Sequence, residues 1–481
     1  MLLNTLKFAA FFLVIAVTYF AIPYRFRWAL LLAGSYYFFI VGGKPHYVLV
    51  ILVSTAVTYY CGMRMGEKET RSGRGPFLAI AIAVNLGFLF FFKYLNLFGI
   101  DLESLLAHAN ILEGSEGLGL IVPLGISFYT LQTLSYLVDV YRGDIRPERH
   151  FGYLALYVSF FPTLLAGPIE RGSHLLPQLH GHYRFDYDRV TYAIKLFAWG
   201  MFLKIVIADR LGLYVNQVYG DVHSYRGLPL LFATLFFAVQ LYCDFAGYTN
   251  MTRACAMILG YDLLENFDKP YFARNVREFW RRWHISLTSW LRDYLYVPLG
   301  GNRGPRWRAY VNVLIVFLVS GLWHGASWTF VLWGALHGLY YLAYMAFTQL
   351  AAGSKEGAEE RHGGKLLDTG KIIFTFCLVG LAWVLFRASS VSDAFDVYRN
   401  MFSFGWSDLS NLFTTWFEGY GLYLLVVLFI FIVGLIGLRG PIIERLGRLP
   451  IYLRWPVYYV FLFTMLIFAV ATGSQFIYMQ F

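Results

Sequence analysis

His324 stands in Gly321-Leu322-Trp323-His324-Gly325, inside a run from Tyr310 to Phe347 that contains no Asp, Glu, Lys or Arg. Neutral imidazole is one of the few side chains able to take a proton from a hydroxyl near pH 7. Glycines on both sides of this one leave room for a substrate or a second backbone to approach the ring. His284, in Trp283-His284-Ile285-Ser286, is the second candidate for proton chemistry. His337, in Ala335-Leu336-His337-Gly338, shares the uncharged run, and its plainer reading is a satisfied structural hydrogen bond. His46 opens an apolar stretch and reads as interfacial; His150, His174, His180, His182, His223 and His362 lie in polar loops. The carboxylate in apolar company is Asp244, in Tyr242-Cys243-Asp244-Phe245-Ala246-Gly247-Tyr248. Pairing with an arginine such as Arg253 is the favoured reading for it, and orienting a histidine the other.

Cations cluster just upstream of His284. Arg274, Arg277, Arg281 and Arg282 are interleaved with Phe272, Phe279, Trp280 and Trp283, followed by Trp290, Arg292 and Tyr294. Positions 274, 277 and 281 fall on one helical face, the pattern of a helix lying among lipid headgroups. The sharper reading gives Arg281 and Arg282 the phosphates of an anionic donor. No Gly-rich phosphate loop, GxSxG elbow or metal-ligand spacing accompanies them, so metal chemistry has no support in the sequence. Cys61, Cys243, Cys255 and Cys377 sit in apolar stretches without CxxC spacing and read as core thiols.

The elements that must position these groups are membrane spans. Of 481 residues, 58% are hydrophobic and only 14% charged, against about a quarter charged in a soluble domain. The net charge of +10 is spread over short loops, which argues for orientation in a membrane rather than nucleic-acid binding. A single helix covering 310–347 would be about 57 Å long against a hydrocarbon core of roughly 30 Å. Two spans broken near Gly321–Ser327 are therefore expected, with His324 at the break, where irregular backbone must face protein or a water-filled cavity.

Hydropathy predicts spans near 3–22, 27–41, 46–62, 76–98, 120–140, 190–218, 227–259, 306–322, 327–348, 371–388, 419–438 and 455–474, about 12 in all. The first reads as a retained span, since no A-x-A site follows it. Basic loops at Arg25/Arg27, Arg64–Arg74, Arg142–Arg149, Lys355–Lys371 and Arg439–Arg454 mark the cytoplasmic side. The 99–119 loop, with Asp101, Glu103, Glu113 and Glu116 and no Lys or Arg, faces outward, and both termini follow it. Residues 150–166 are short, broken by Pro162, Gly167 and Pro168, and read as a re-entrant element. Residues 351–370 read as a polar loop. These features admit both an acyltransferase and a transporter with a proton-relay histidine.

Several motifs, taken in order, narrow the choice: Pro123-Leu124-Gly125-Ile126-Ser127-Phe128-Tyr129-Thr130; Phe160-Phe161-Pro162-Thr163-Leu164-Leu165-Ala166-Gly167-Pro168-Ile169; Asp244-Phe245-Ala246-Gly247-Tyr248-Thr249. Glu265-Asn266-Phe267-Asp268-Lys269-Pro270-Tyr271, Phe279-Trp280-Arg281-Arg282-Trp283-His284-Ile285-Ser286-Leu287, Trp290-Leu291-Arg292-Asp293-Tyr294 and the Gly321–Gly325 stretch follow. Together they resemble the membrane-bound O-acyltransferase (MBOAT) family, in its bacterial alginate O-acetylase-like branch. Ala246, Asn250 and Asp268 depart from that pattern, where Ser, Asp and Asn are expected.

The resemblance implies an all-α polytopic membrane protein, with about 12 transmembrane helices plus re-entrant and interfacial helices around a central tunnel. It implies one integral-membrane domain over 1–481, with N-terminal helices at 1–119, a core at 120–348 and C-terminal helices at 349–481. His324 corresponds to the family's characteristic histidine and His284 to its second. No bound cofactor is implied. The expected donor is acetyl-CoA or another acyl thioester, the acceptor an extracytoplasmic polysaccharide such as alginate, and the site a bacterial inner membrane. The expected partners are lipid and an SGNH-hydrolase-like acetyltransferase, with no nucleic acid. D-alanyl transfer to teichoic acid is the alternative within the family.

Overall fold

The computed structural model describes residues 1–95, 122–352, 365–405, 421–438, 440, 442–470 and 476–477. The acidic 99–119 loop, most of the polar 351–370 loop and Arg439 lie outside the described residues. Within them the regular structure is helical, and one isolated antiparallel bridge joins Phe267 to Trp283. Eight helices are long and apolar enough to cross a bilayer, or nine if Gly421–Gly437 and Ile442–Arg448, bent by 73°, form one broken span. The figure of about 12 is not reached among the described residues. Three expected spans explain much of the difference. Leu6–Ala21 and Ile126–Arg142 have only 16 and 17 residues, and Tyr24–Gly42 begins with Arg25 and Arg27 in its first turn.

The chain divides into two compact units. The first contains Met1–Phe197 and Thr249–Glu265. Its helices include α1 (Leu6–Ala21), α2 (Tyr24–Gly42), α3 (Val48–Gly66), α4 (Arg71–Leu89) and α5 (Ile126–Arg142). Thr5 and Thr70 cap α1 and α4 by accepting from the amides of Phe8 and Gly73. The 150–166 segment forms two short helices, α6 (Phe151–Ser159) and α7 (Phe161–Leu164), broken at Phe160. Its backbone groups are served by protein: the Phe161 amide donates to Ser35 Oγ at 3.1 Å, and Gln132 Nε2 donates to the Tyr157 carbonyl at 2.6 Å. This is how a broken helix survives in apolar surroundings. Gly125, at φ +70°, precedes α5, and a Cβ there would lie 1.9 Å from the Leu164 carbonyl oxygen. The first two sequence motifs are thus two sides of one packing contact.

The second unit contains Ala198–Tyr248 and Asn266–Phe481. Between α8 (Gly172–Leu179) and the later elements, α9 (Tyr187–Phe202) passes through a π-helical turn at Leu203–Ala208 into α10 (Asp209–Gly220), and α11 (Leu228–Leu259) follows. Short helices α12 (Val276–Arg282) and α13 (Ile285–Leu291) precede the antiparallel pair α14 (Arg306–His324) and α15 (Trp328–Ala352), then α16 (Lys365–Arg387). The expected break in the uncharged run is present, and α14 ends on His324. Glycines let α14 and α15 touch: a Cβ on Gly321 would lie 2.3 Å from the Phe330 carbonyl oxygen, and one on Gly334 2.3 Å from that of Phe317. Helices this close cannot rotate or slide freely, so the residues at their turn are held in register.

Candidate active site

Two histidines forty positions apart meet in the second unit. The ring centroids of His284 and His324 are 6.3 Å apart, and the residues are 0% and 4% exposed. His324 is delivered by the end of α14. Gly325 next to it has no room for a side chain, since a Cβ would lie 2.2 Å from the Phe330 ring. Trp333, one turn and a half into α15, meets the His324 ring edge-on at 5.0 Å, and Phe386 of α16 meets it at 5.4 Å.

His284 is held differently. It sits between α12 and α13 at φ 41°, ψ 56°, in the left-handed region that a histidine rarely occupies. The surroundings enforce this. The Ile285 amide donates to the Asn266 carbonyl at 2.9 Å, the Ser286 amide to Asn266 Oδ1 at 3.2 Å, and the Asp268 amide to the Arg282 carbonyl at 3.0 Å. The Glu265–Tyr271 motif is therefore a clamp on the backbone that carries His284. Backbone strain of this kind persists where the surrounding structure over-determines it, and it concentrates at functional positions. Phe245 of α11 closes on the imidazole at 4.7 Å.

Indole rings form the wall behind both histidines. Trp283 contacts Trp383 at 5.0 Å, and Trp383 stacks on Trp333 at 5.6 Å with 19° between the planes. All three are fully buried. Large rigid rings fix the positions of their neighbours at little entropic cost.

Asp244 is not the partner of Arg253 that the sequence favoured, since Arg253 reaches Glu265 at 2.8 Å. Asp244 Oδ1 accepts from Lys204 Nζ at 2.6 Å, and the same ammonium lies 2.9 Å from Asp209 Oδ1. Its other oxygen accepts from the Ile477 amide at 2.8 Å. The physical reason lies in the π-turn at 203–208, which carries Lys204 to meet the carboxylate. Neighbouring Phe476 stacks on Tyr248 at 4.8 Å and contacts Phe245 at 5.5 Å. Asp244 thus ties down a late segment of the chain and reaches His284 at one remove, through Phe245. Sequence reading missed Lys204, yet a lysine deep in an apolar span, five residues before an aspartate, was a visible signal.

The arginines separate. Arg282 donates to Glu278 Oε1 at 2.6 Å, and Arg274 approaches the other oxygen of that carboxylate at 3.3 Å. Arg281 points outward with Arg277, and both are exposed. Arg274 precedes α12 and turns toward Glu278, so the expected three-residue face reduces to Arg277 and Arg281. Among the described residues no group of three His, Cys, Asp or Glu side chains could hold a metal ion.

A buried imidazole pair, walled by indoles at the turn of an apolar helix pair, defines a class: a multi-pass membrane protein with titratable side chains buried in its interior. Comparison with known proteins makes the class specific. Residues 145–382 match the MBOAT, membrane-bound O-acyltransferase family. The chain is 36% identical over 395 residues to the probable alginate O-acetylase AlgI of Azotobacter vinelandii, covering 82% of this chain and 76% of that protein. It is 32% identical over 403 residues to the peptidoglycan O-acetyltransferase of Helicobacter pylori (78% and 74%). It is 27% identical over 238 residues to the teichoic acid D-alanyltransferase of Bacillus subtilis (47% and 60%). The chain belongs to the membrane-bound O-acyltransferase family and is an O-acyltransferase.

Proposed function

We propose that this protein passes an acetyl group from a cytoplasmic thioester, acetyl-CoA or another acyl carrier, toward O-acetylation of an extracytoplasmic polysaccharide such as alginate. The observation that carries the reading is the convergence of His284 and His324, far apart in sequence, at 6.3 Å in a buried aromatic setting. In this mechanism His324 takes the proton of an acceptor hydroxyl, and the oxygen attacks the thioester carbonyl. The tetrahedral intermediate collapses with loss of the thiolate, and the proton held on His324 passes to that sulfur. One ester forms, one thioester breaks, and the base is regenerated. His284 orients the donor or serves as a second proton carrier, and Arg281 meets the donor's phosphates at the surface.

Acetyl is preferred over D-alanyl because the O-acetylating relatives match about four fifths of the chain and the D-alanyl relative less than half. The reading further includes a central tunnel, both termini on the outer side of a bacterial inner membrane, and an SGNH-hydrolase-like partner that delivers the group to the polymer. A thioester-consumption assay on purified protein tests it. His324→Ala, folded as judged by its melting transition, is expected to release free thiol about 10²–10⁴-fold more slowly than wild type. Near-normal turnover in that variant would remove His324 from the role.

A further inference from the structure

The plain account of His337, a satisfied structural hydrogen bond, fails on inspection of its surroundings. The residue is 0% exposed, and among the described residues neither ring nitrogen has a hydrogen-bonding partner. Rings from four helices enclose it: Trp280 at 5.0 Å and Phe279 at 6.3 Å from α12, Phe317 at 6.4 Å from α14, Trp333 at 5.0 Å and Tyr340 at 5.9 Å from α15, and Trp383 at 6.0 Å from α16. Of these, Tyr340 carries the one other titratable group. The indole Nε1 atoms of Trp280, Trp333 and Trp383 are also buried without a protein partner. Three indoles whose N–H groups lack a protein partner therefore pack around an imidazole that, when neutral, supplies a single acceptor.

Native interiors do not leave such groups orphaned, and a buried polar cluster of this kind is normally completed by ordered water. An apolar ring of similar size would fill the same space without that cost. Packing therefore gives no reason for a histidine here. Trp333 supplies one, because the indole that meets His337 at 5.0 Å also meets His324 at 5.0 Å.

We propose that His337 is a positioning residue of the active site: ordered water bridges its ring to the surrounding indole N–H groups, and this bridged cluster fixes Trp333 against His324. The proposal rests on His324 being the catalytic base. It takes no step of the chemistry itself. An error of an ångström in the placement of a catalytic group is enough to cost a large factor in rate.

The test compares His337→Phe, His337→Gln and Trp333→Phe with wild type in purified full-length protein, using acetyl-CoA consumption, melting temperature and the pH profile of kcat. His337→Phe is expected to melt at or above the wild-type temperature while kcat falls roughly 10- to 100-fold at unchanged KM. The acid limb of its pH profile, which reports His324, should shift. His337→Gln, which can still hold water, should recover most of the rate, and Trp333→Phe should reproduce the defect of His337→Phe. Wild-type kcat and pH profile in His337→Phe, or in Trp333→Phe should the first not fold, would overturn the proposal and leave His337 as a filler satisfied by ring contacts alone. A density map of the wild-type protein that resolves ordered water must show it beside His337; dry density there overturns the proposal independently of any activity. Failure of the catalytic reading looks different, since it appears as full turnover in His324→Ala.

Discussion

Two groups of polar side chains lie buried in the second unit, and they are served in opposite ways. Around Lys204 the partners are ionic or hydrogen-bonding groups: the ammonium meets Asp244 at 2.6 Å and is shared with Asp209 at 2.9 Å, and the remaining Asp244 oxygen takes the Ile477 amide. Around His324 the neighbours are rings. Trp323, Trp333 and Phe386 touch it, with His284 at 6.3 Å. A buried charge needs its partners merely to be tolerated. A buried neutral imidazole is tolerated without charge and so stays available to take a proton. The contrast separates an ion-paired fastening from the proposed reaction centre within one unit.

The largest effects should fall where the comparison draws its line. His324→Ala removes the proposed base and is expected to cost about 10²–10⁴-fold in turnover with little loss of stability. Asp244→Ala should show the reverse. It leaves Lys204 paired with Asp209 alone and the Ile477 amide without its acceptor, and an unsatisfied buried donor costs about 1–3 kcal/mol. The melting temperature should therefore drop first, with activity per folded molecule falling less. Equal stability losses in the two variants would erase the distinction. Replacing the ion group as a unit sharpens it: Lys204→Met with Asp244→Leu and Asp209→Asn should regain much of the stability lost by Asp244→Ala, as apolar replacements of buried ionic groups do.

A smaller effect is expected at the surface. Arg282 is engaged by Glu278, whereas Arg281 is exposed on α12. Arg281→Ala should raise KM for a phosphate-bearing thioester about threefold at low salt, with the difference shrinking as salt screens the exposed charge. Arg282→Ala should leave KM nearly unchanged. If Arg282 proves the more important for the donor, the Glu278 pairing is not what decides between them.

How much of this was legible in the residues depends on the reach of each interaction. The all-α membrane class, the break at Gly321–Ser327 and the discontinuity near Pro162 follow from hydropathy and helix-breaking residues, which act locally. The meeting of His284 and His324 was not legible from spacing, because forty intervening residues must fold before the rings approach; the family resemblance singled out the two residues but not their proximity. Asp244 was singled out correctly as buried, yet its partner was misjudged. Arg253 is near in sequence, but a π-turn forty residues upstream presents Lys204 instead. The two arginines at 281 and 282 looked equivalent as adjacent cations, and a helix sends adjacent side chains about 100° apart, one to Glu278 and the other outward. The span count exceeded the helices that qualify for two reasons: Leu6–Ala21 is apolar but only 16 residues long, whereas Tyr24–Gly42 is long enough but takes Arg25 and Arg27 into its first turn.

The smallest effect tests whether a histidine with a partner behaves as the comparison requires. In the first unit His174 Nδ1 lies 2.7 Å from Glu170 Oε2, and the other Glu170 oxygen accepts from the Leu264 amide at 2.7 Å. Both residues lie outside the membrane-spanning helices. The bond to Glu170 raises the His174 pKa, and burial raises that of the Glu170 carboxyl. Each shift means that the folded state binds its proton more tightly than the unfolded chain does. For His174 the stabilisation is therefore complete below its ordinary value near ~6.5 and is lost as pH rises through the raised folded value. For Glu170 the loss begins lower, above about 4.3. Because His174 is partly exposed, solvent screens the pair, and the change in melting temperature above pH ~6.5 should be on the order of 1–2 °C. His174→Gln keeps a hydrogen-bond donor but cannot titrate, so it should flatten the alkaline part of the curve and leave the part set by Glu170. A His174→Gln curve superimposable on wild type would mean that this histidine, despite its carboxylate, contributes no more linked protonation than a free one.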